Sequence, residues 1–195
     1  MMALVPVGAA PSAPPPPAAP SATLYAPGRY LVDGGATRVH FHVKALIGGY
    51  DGDFVAPEGA VTIEAARPDR AAVDISFPVD RLSTGDASTD AMLKGDSFFD
   101  MAHFPTVRFS AQDAPLASSE RPTAIAGELT MHGQARPVTL MIRLVGVTPD
   151  EVPGQAVLHF AGTLSVNRSR FGMGFGRPFV SDKVDLSIDA IFRRS

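Results

Sequence analysis

The chain has 195 residues and no cysteine, so its length suits one domain with a tail, and disulfides and thiolate metal sites are excluded. Hydrophobic residues make up 45% and charged residues 19%, with a net charge of −3 and no cluster of Lys or Arg; this leaves enough apolar side chain for a core and argues against a nucleic-acid partner. No apolar run approaches the ~20 residues that a membrane-spanning helix needs.

Residues 1–23 are rich in Ala, Pro and Ser, with a polyproline run at 14–17. Such a segment cannot build a core and is expected to be disordered or polyproline II. Its first ten residues are mildly apolar and lead into small residues, as in a secretory signal. They lack a basic start, however, and Pro6 interrupts them. Two readings stay open: a degraded export signal with a spacer, or a plain disordered tail. Residues 1–26 are assigned to this segment and 27–195 to the folded domain.

The first strand is expected at 38–44, where Val39, Phe41 and Val43 alternate with Arg38, His40, His42 and Lys44. The glycine-rich run 47–54 reads as a bend or bulge. Val61 and Ile63 open another strand. After a turn at 67–70, Val73, Ile75, Phe77 and Val79 point inward along the next. Alternation breaks over 83–100. There Ser88 or Asp90 is placed to cap a short helix carrying Met92 and Leu93, followed by the adjacent pair Phe98 and Phe99. We expect this helical excursion, near 86–99, to cover one end of the sheet.

Val107 and Phe109 resume a strand after Pro105, and 114–122 reads as a polar loop. The clearest pattern is 125–144. Ile125, Gly127, Leu129 and Met131 form one inward set, the break at 132–137 contains Gly133, and Val138, Leu140, Ile142 and Leu144 form the next. This is a β-hairpin, with Pro137 withholding a ladder donor where the second strand starts. After a turn at 148–154 come two more strands. One turns Leu158, Phe160, Gly162, Leu164 and Val166 inward, the other Val184, Leu186, Ile188, Ala190 and Phe192. About eight strands with short turns and one apolar face each predict an all-β fold, a barrel or a pair of packed sheets. A closed barrel would hold a greasy interior suited to an apolar ligand.

A set of short motifs falls in a fixed order. It runs through Asp33, Val39-x-Phe41-x-Val43, Gly52-x-Phe54, Ser83-Thr84, Asp90-x-x-Leu93 and Phe98-Phe99-Asp100. It continues with Phe104-Pro105-Thr106-Val107-x-Phe109-Ser110, Gly127-x-Leu129-Thr130-x-His132-Gly133 and Arg136-Pro137-Val138-Thr139-Leu140, and ends with Asn167-Arg168-Ser169-x-Phe171-Gly172 and Val184-x-Leu186. From about Tyr30 to Phe192 the chain resembles the YceI-like family of bacterial polyisoprenoid-binding proteins. The resemblance implies a lipocalin-like antiparallel barrel around a long apolar channel holding an isoprenoid chain. It also implies a periplasmic or secreted location and, as in some members, a homodimer. Two departures stand out. Family members usually carry a His where this chain has Ala45, and Arg-Asp-x-His-Leu where it reads Thr89-Asp90-Ala91-Met92-Leu93. Two polar anchors and one cation of the family pattern are thus missing.

The expected channel lining is Val39, Phe41 and Val43; Ile75 and Phe77; Phe98, Phe99 and Phe109; Leu129, Met131, Leu140 and Ile142; and Phe160, Leu164, Leu186 and Ile188. For Phe98 and Phe99, plain packing is an equal alternative. The loop 167–177 carries Arg168, Arg170 and Arg177 among glycines, a composition that suits a phosphate head group; a structural loop, with Arg168 bonding backbone carbonyls, is the competing reading. His40 and His42 share one strand face but show no carboxylate or third His beside them, so no metal site is expected. His132, at a turn, is read as packing. No nucleophile motif is present and no cofactor is expected. The function expected is non-enzymatic binding, transport or storage of a long apolar lipid, an isoprenoid or isoprenoid quinone. The alternatives are a barrel filled by its own side chains that binds a protein, and an enzyme acting on an isoprenoid diphosphate.

Overall fold

Alternation with a period of two runs through nearly every segment of the domain, and the computed structural model turns it into one continuous antiparallel sheet. The structure describes residues 25–151 and 155–195. Its strands are β1 (Gly28–Val32), β2 (Arg38–Ala45), β3 (Gly49–Val55), β4 (Glu58–Ile63), β5 (Arg70–Pro78), β6 (Leu82–Ser83), β7 (Thr106–Pro115), β8 (Thr123–Met131), β9 (Gln134–Pro149), β10 (Ala156–Asn167) and β11 (Val180–Arg194), with one α-helix, α1 (Ala87–Lys94). Eight of them close a ring in the order β1-β4-β5-β7-β8-β9-β10-β11, and β11 returns to β1 through Val32↔Phe192 and Tyr30↔Arg194. The expected all-β, lipocalin-like barrel is therefore closed, which removes the unpaired edges of an open sheet.

The strands β2, β3 and β6 continue from the same edge of β11 at the other end of the barrel, where β2 pairs with β11 from Asp189↔Arg38 to Val180↔Ala45. The glycine-rich run expected as a bend is in fact β3, paired residue for residue with β2. Glycine is used there for space: Gly52 lies opposite Phe41, whose ring occupies the room a side chain would take. Gly127 on β8 does the same under Phe109, where a Cβ would lie 2.6 Å from the ring. The hairpin of β8 and β9 turns on His132 and Gly133 alone, both at positive φ (48° and 66°), the conformation a two-residue hairpin turn requires. Strand β9 thus begins at Gln134 and carries Pro137 within it, opposite Glu128. Strand β7 also runs further than expected, to Pro115, and Ala114 and Ala117 are buried.

The helical excursion forms as expected, but its cap is Asp86, whose carboxylate accepts from Thr89 N at 2.7 Å. Asp90 instead accepts from Thr84 N (2.6 Å) and Thr84 Oγ1 (2.7 Å), tying the helix to the segment after β6. Helix α1 buries no residue completely. It lies across one end of the barrel, held by the half-buried Leu93 and by Phe99, whose ring meets Phe54 edge-on at 5.5 Å.

The outer face is polar and cross-linked by exposed pairs, of which Arg108 with Asp74 is bidentate (2.7 and 2.6 Å). Pairs so exposed add little stability. Stability resides in the inner face, where two apolar clusters stack along the barrel axis.

Candidate functional site

The two clusters do not fill the barrel. Between and above them lies a cavity of about 340 Å³, within the range of small-molecule sites. All sixteen lining residues expected from the sequence face it. Val39, Phe41 and Val43 come from β2, Ile75 and Phe77 from β5, Phe109 from β7, Leu129 and Met131 from β8, and Leu140 and Ile142 from β9. Phe160 and Leu164 come from β10, Leu186 and Ile188 from β11, and Phe98 and Phe99 from the segment after α1. Val73, Phe77, Ile142 and Ile188 pack against both clusters and stay only partly buried, which places them around the middle of the channel.

One end is closed. Tyr25 stacks on Phe160 (centroids 6.2 Å apart, 15° between planes), and its Oη donates to the Ala117 carbonyl at 2.6 Å. Tyr30 lies beneath, donating to the Ala26 carbonyl at 2.7 Å. The folded domain thus takes in Tyr25 and Ala26, which the sequence pattern assigns to the tail; the remainder of that tail, residues 1–24, lies outside the described residues. Nothing in the local pattern around Tyr25 marks it as a plug. Burial, with a smaller contribution from Tyr30, pushes the Tyr25 phenol up to about 12. Because the folded state holds this proton more tightly than the unfolded chain, the contribution is intact below about pH 10 and lost as pH rises towards 12. Tyr25→Phe should remove from the ultraviolet titration a phenol that ionises near pH 12, and should lower stability in urea by about 1–3 kcal/mol, leaving the Ala117 carbonyl unpartnered.

The opposite end is the mouth. It is bordered by the β2–β3 hairpin, by α1 with Phe98 and Phe99, and by the loop between β10 and β11. Tyr50, Thr89, Met92, Phe175 and Gly176 all face the opening. Met92, where the family pattern has His, is thus an apolar rim residue. Ala45 stands outside the lining, paired with Val180 beside the turn at the hairpin tip.

Among the described residues, Arg168 is the only charged one in the lining, and it is buried. Its Nε donates to Ser181 O (2.8 Å), Nη1 to Met173 O (2.7 Å) and Phe175 O (2.6 Å), and Nη2 to Val180 O (3.1 Å). One guanidinium thus folds the mouth loop around itself. Burial pulls its pKa below the usual arginine value, against the attraction of Asp182. Burial would raise the Asp182 carboxyl, but bonds from Ser169 N (2.8 Å) and Oγ (2.7 Å), with Arg177 and Arg168 nearby, hold it below the usual carboxylate range. Arg170 and Arg177 are exposed and do not line the cavity. His132 Nδ1 donates to the Phe171 carbonyl (2.9 Å), locking the β8–β9 turn to this loop.

Carboxylates do stand beside His40 and His42, contrary to the sequence reading. Asp53 meets His40 at 3.0 Å, and Asp51 meets His42 at 2.8 Å, both from β3. The spacing on one strand could not show them, because their partners enter through cross-strand register. Among the described residues no group of three or more such side chains is arranged to hold a metal ion. No described helix is long and apolar enough to cross a membrane.

With this geometry in hand, the comparisons with known proteins agree. A model of the YceI-like domain matches residues 30–192. A UPF0312 protein of Pseudomonas fluorescens is 28% identical over 174 residues, covering 82% of this chain and 83% of its own length. A UPF0312 protein of Shewanella denitrificans is 27% identical over 170 residues, covering 83% and 86%. Among solved structures, BcnA of Burkholderia cenocepacia superposes with a TM-score of 0.67 at 22% identity, over 82% of this chain and 98% of that one. A polyisoprenoid-binding domain from Saccharophagus degradans does so with a TM-score of 0.64 at 14% identity, over 85% and 98%. At these identities the structural likeness carries the fold.

Proposed function

The chain belongs to the YceI-like family, and we propose that it is a non-enzymatic protein that binds a long apolar lipid, an isoprenoid or isoprenoid quinone, in the barrel channel for transport or storage. The observation that carries this reading is the cavity itself: closed at the Tyr25 end, open at the other, and lined mostly by aliphatic and aromatic side chains, with its one charged residue among those described, Arg168, spending four of its five N–H donors on backbone carbonyls. Each methylene taken from water contributes about 0.8 kcal/mol, so a few isoprene units supply large gross affinity without a hydrogen bond. The solved relative from Saccharophagus degradans, a polyisoprenoid-binding domain, supports the ligand class. With no free cation in the lining, selection acts on the tail and the head group stays at or beyond the mouth. A periplasmic or secreted location fits a carrier of this kind.

A barrel filled by its own side chains is disfavoured by the cavity, and an isoprenoid-diphosphate enzyme by the absence of an acid–base pair among the described residues of its lining. Mass spectrometry of an organic extract from natively purified protein is the test. A stoichiometric isoprenoid or quinone is the expected result. A clean extract, together with no saturable binding of isoprenoid tails by delipidated protein, would overturn the reading.

A further inference from the structure

The four most exposed large apolar side chains among the described residues are Ile47 (92%), Leu46 (77%), Phe179 (65%) and Phe175 (61%). They come from two segments far apart in sequence, yet all stand at the mouth. Leu46 N donates to the Phe179 carbonyl at 2.8 Å, which joins the β2–β3 hairpin tip to the loop before β11. Phe175 packs edge-on against Phe98 at 5.7 Å and also faces the cavity, as do the exposed Tyr50 and Met92. The apolar surface is therefore continuous from the inside of the channel to the outside of its rim.

We propose that this rim docks on a lipid bilayer, with Leu46, Ile47 and Phe179 entering the interfacial layer so that the channel opens directly into the acyl region. The inference rests on the lipid-carrier reading. A long isoprenoid has almost no concentration in water, so it must cross between protein and membrane without being hydrated, and only the mouth provides an unbroken apolar path. The flanking charges fit. Lys44 precedes the hairpin tip and Arg177 sits between Phe175 and Phe179, both exposed and placed to meet lipid phosphates. The nearest hairpin carboxylate, Asp51, is engaged by His42. The flank of α1 carries the exposed Asp86 and Asp96, so the hairpin and loop, not the helix, form the edge that enters.

The test uses the full chain with sucrose-loaded phosphatidylethanolamine–phosphatidylglycerol vesicles, scored by sedimentation, and a separate assay of a fluorescent isoprenoid tail delivered from detergent micelles. The wild type should sediment with the vesicles. The triple variant Leu46→Glu, Ile47→Glu, Phe179→Glu should partition at least roughly tenfold less while binding the micelle-delivered tail as the wild type does, because none of the three lines the cavity. A wild type that stays in the supernatant would overturn the docking and leave the carrier reading standing. Vesicle binding without tail binding would instead count against the carrier and spare the docking. Should the wild type ignore vesicles but form a dimer that the triple variant cannot, the rim is a face for a second copy and the proposal is wrong.

Discussion

Replacing Arg168 by Ala should lower the unfolding free energy by about 3–5 kcal/mol and open the mouth loop to proteolysis. Its guanidinium satisfies four backbone carbonyls, of Met173, Phe175, Val180 and Ser181, with every contact between 2.6 and 3.1 Å. No water-exposed substitute can reach them all, because they converge from both sides of the loop on a buried point. Arg168→Lys should recover only part of the loss, since an ammonium is a point donor and cannot span a fork of acceptors. Urea unfolding with limited proteolysis between residues 172 and 180 checks this. The same pair of variants tests whether Arg168 instead binds a phosphate head group. Should Arg168→Ala keep wild-type stability and lose selectivity for a phosphorylated head group, the guanidinium serves a ligand and not the loop.

Occluding the middle of the channel should abolish long-tail binding without unfolding the barrel. Val73 and Ile188 both line the cavity and touch both core clusters, so Val73→Phe with Ile188→Phe places two rings across the passage. We expect affinity for a long isoprenoid to fall at least about 100-fold, equivalent to about 2.7 kcal/mol, while a tail short enough to stay at the mouth is bound nearly as before. Overpacking of a filled core typically costs about 1–3 kcal/mol, and here the rings enter open space, so thermal stability should change little. Val145→Thr, on the exposed outer face of β9, is the control and should leave binding unchanged. A double variant that still takes up the long tail would place the ligand elsewhere than in the channel.

The inner face was legible because its signal is local. Leu129 and Met131, or Leu186 and Ile188, declare their side by alternation with polar neighbours, and fourteen of the sixteen expected lining residues follow from that rule; Phe98 and Phe99, which lie outside any strand, do not. That the hairpin reverses at Gly133 was legible, as glycine marks the φ that the turn needs, but its length was not: the break expected over 132–137 is only His132 and Gly133. Strand β3 was not: its glycines at 49 and 52 look like a bend until Phe41 is seen lying over Gly52. Nor did the cap of α1 declare itself, because Asp86, Ser88 and Asp90 are all competent caps and only the path of the chain selects Asp86.

By itself, then, the sequence determined an all-β domain with one apolar face and most of the residues on that face, since these follow from residue type and spacing along a few neighbours; the family came from the resemblance carried by an ordered set of motifs along nearly the whole domain. The tertiary structure decided what depends on partners distant in sequence: closure of the ring through β1 and β11, the Tyr25 plug on Ala117, the engagement of Arg168 by four backbone carbonyls, and the gathering of Leu46, Ile47, Phe175 and Phe179 into one rim. Alternation says which way a side chain points, and only the closed sheet says what it meets there.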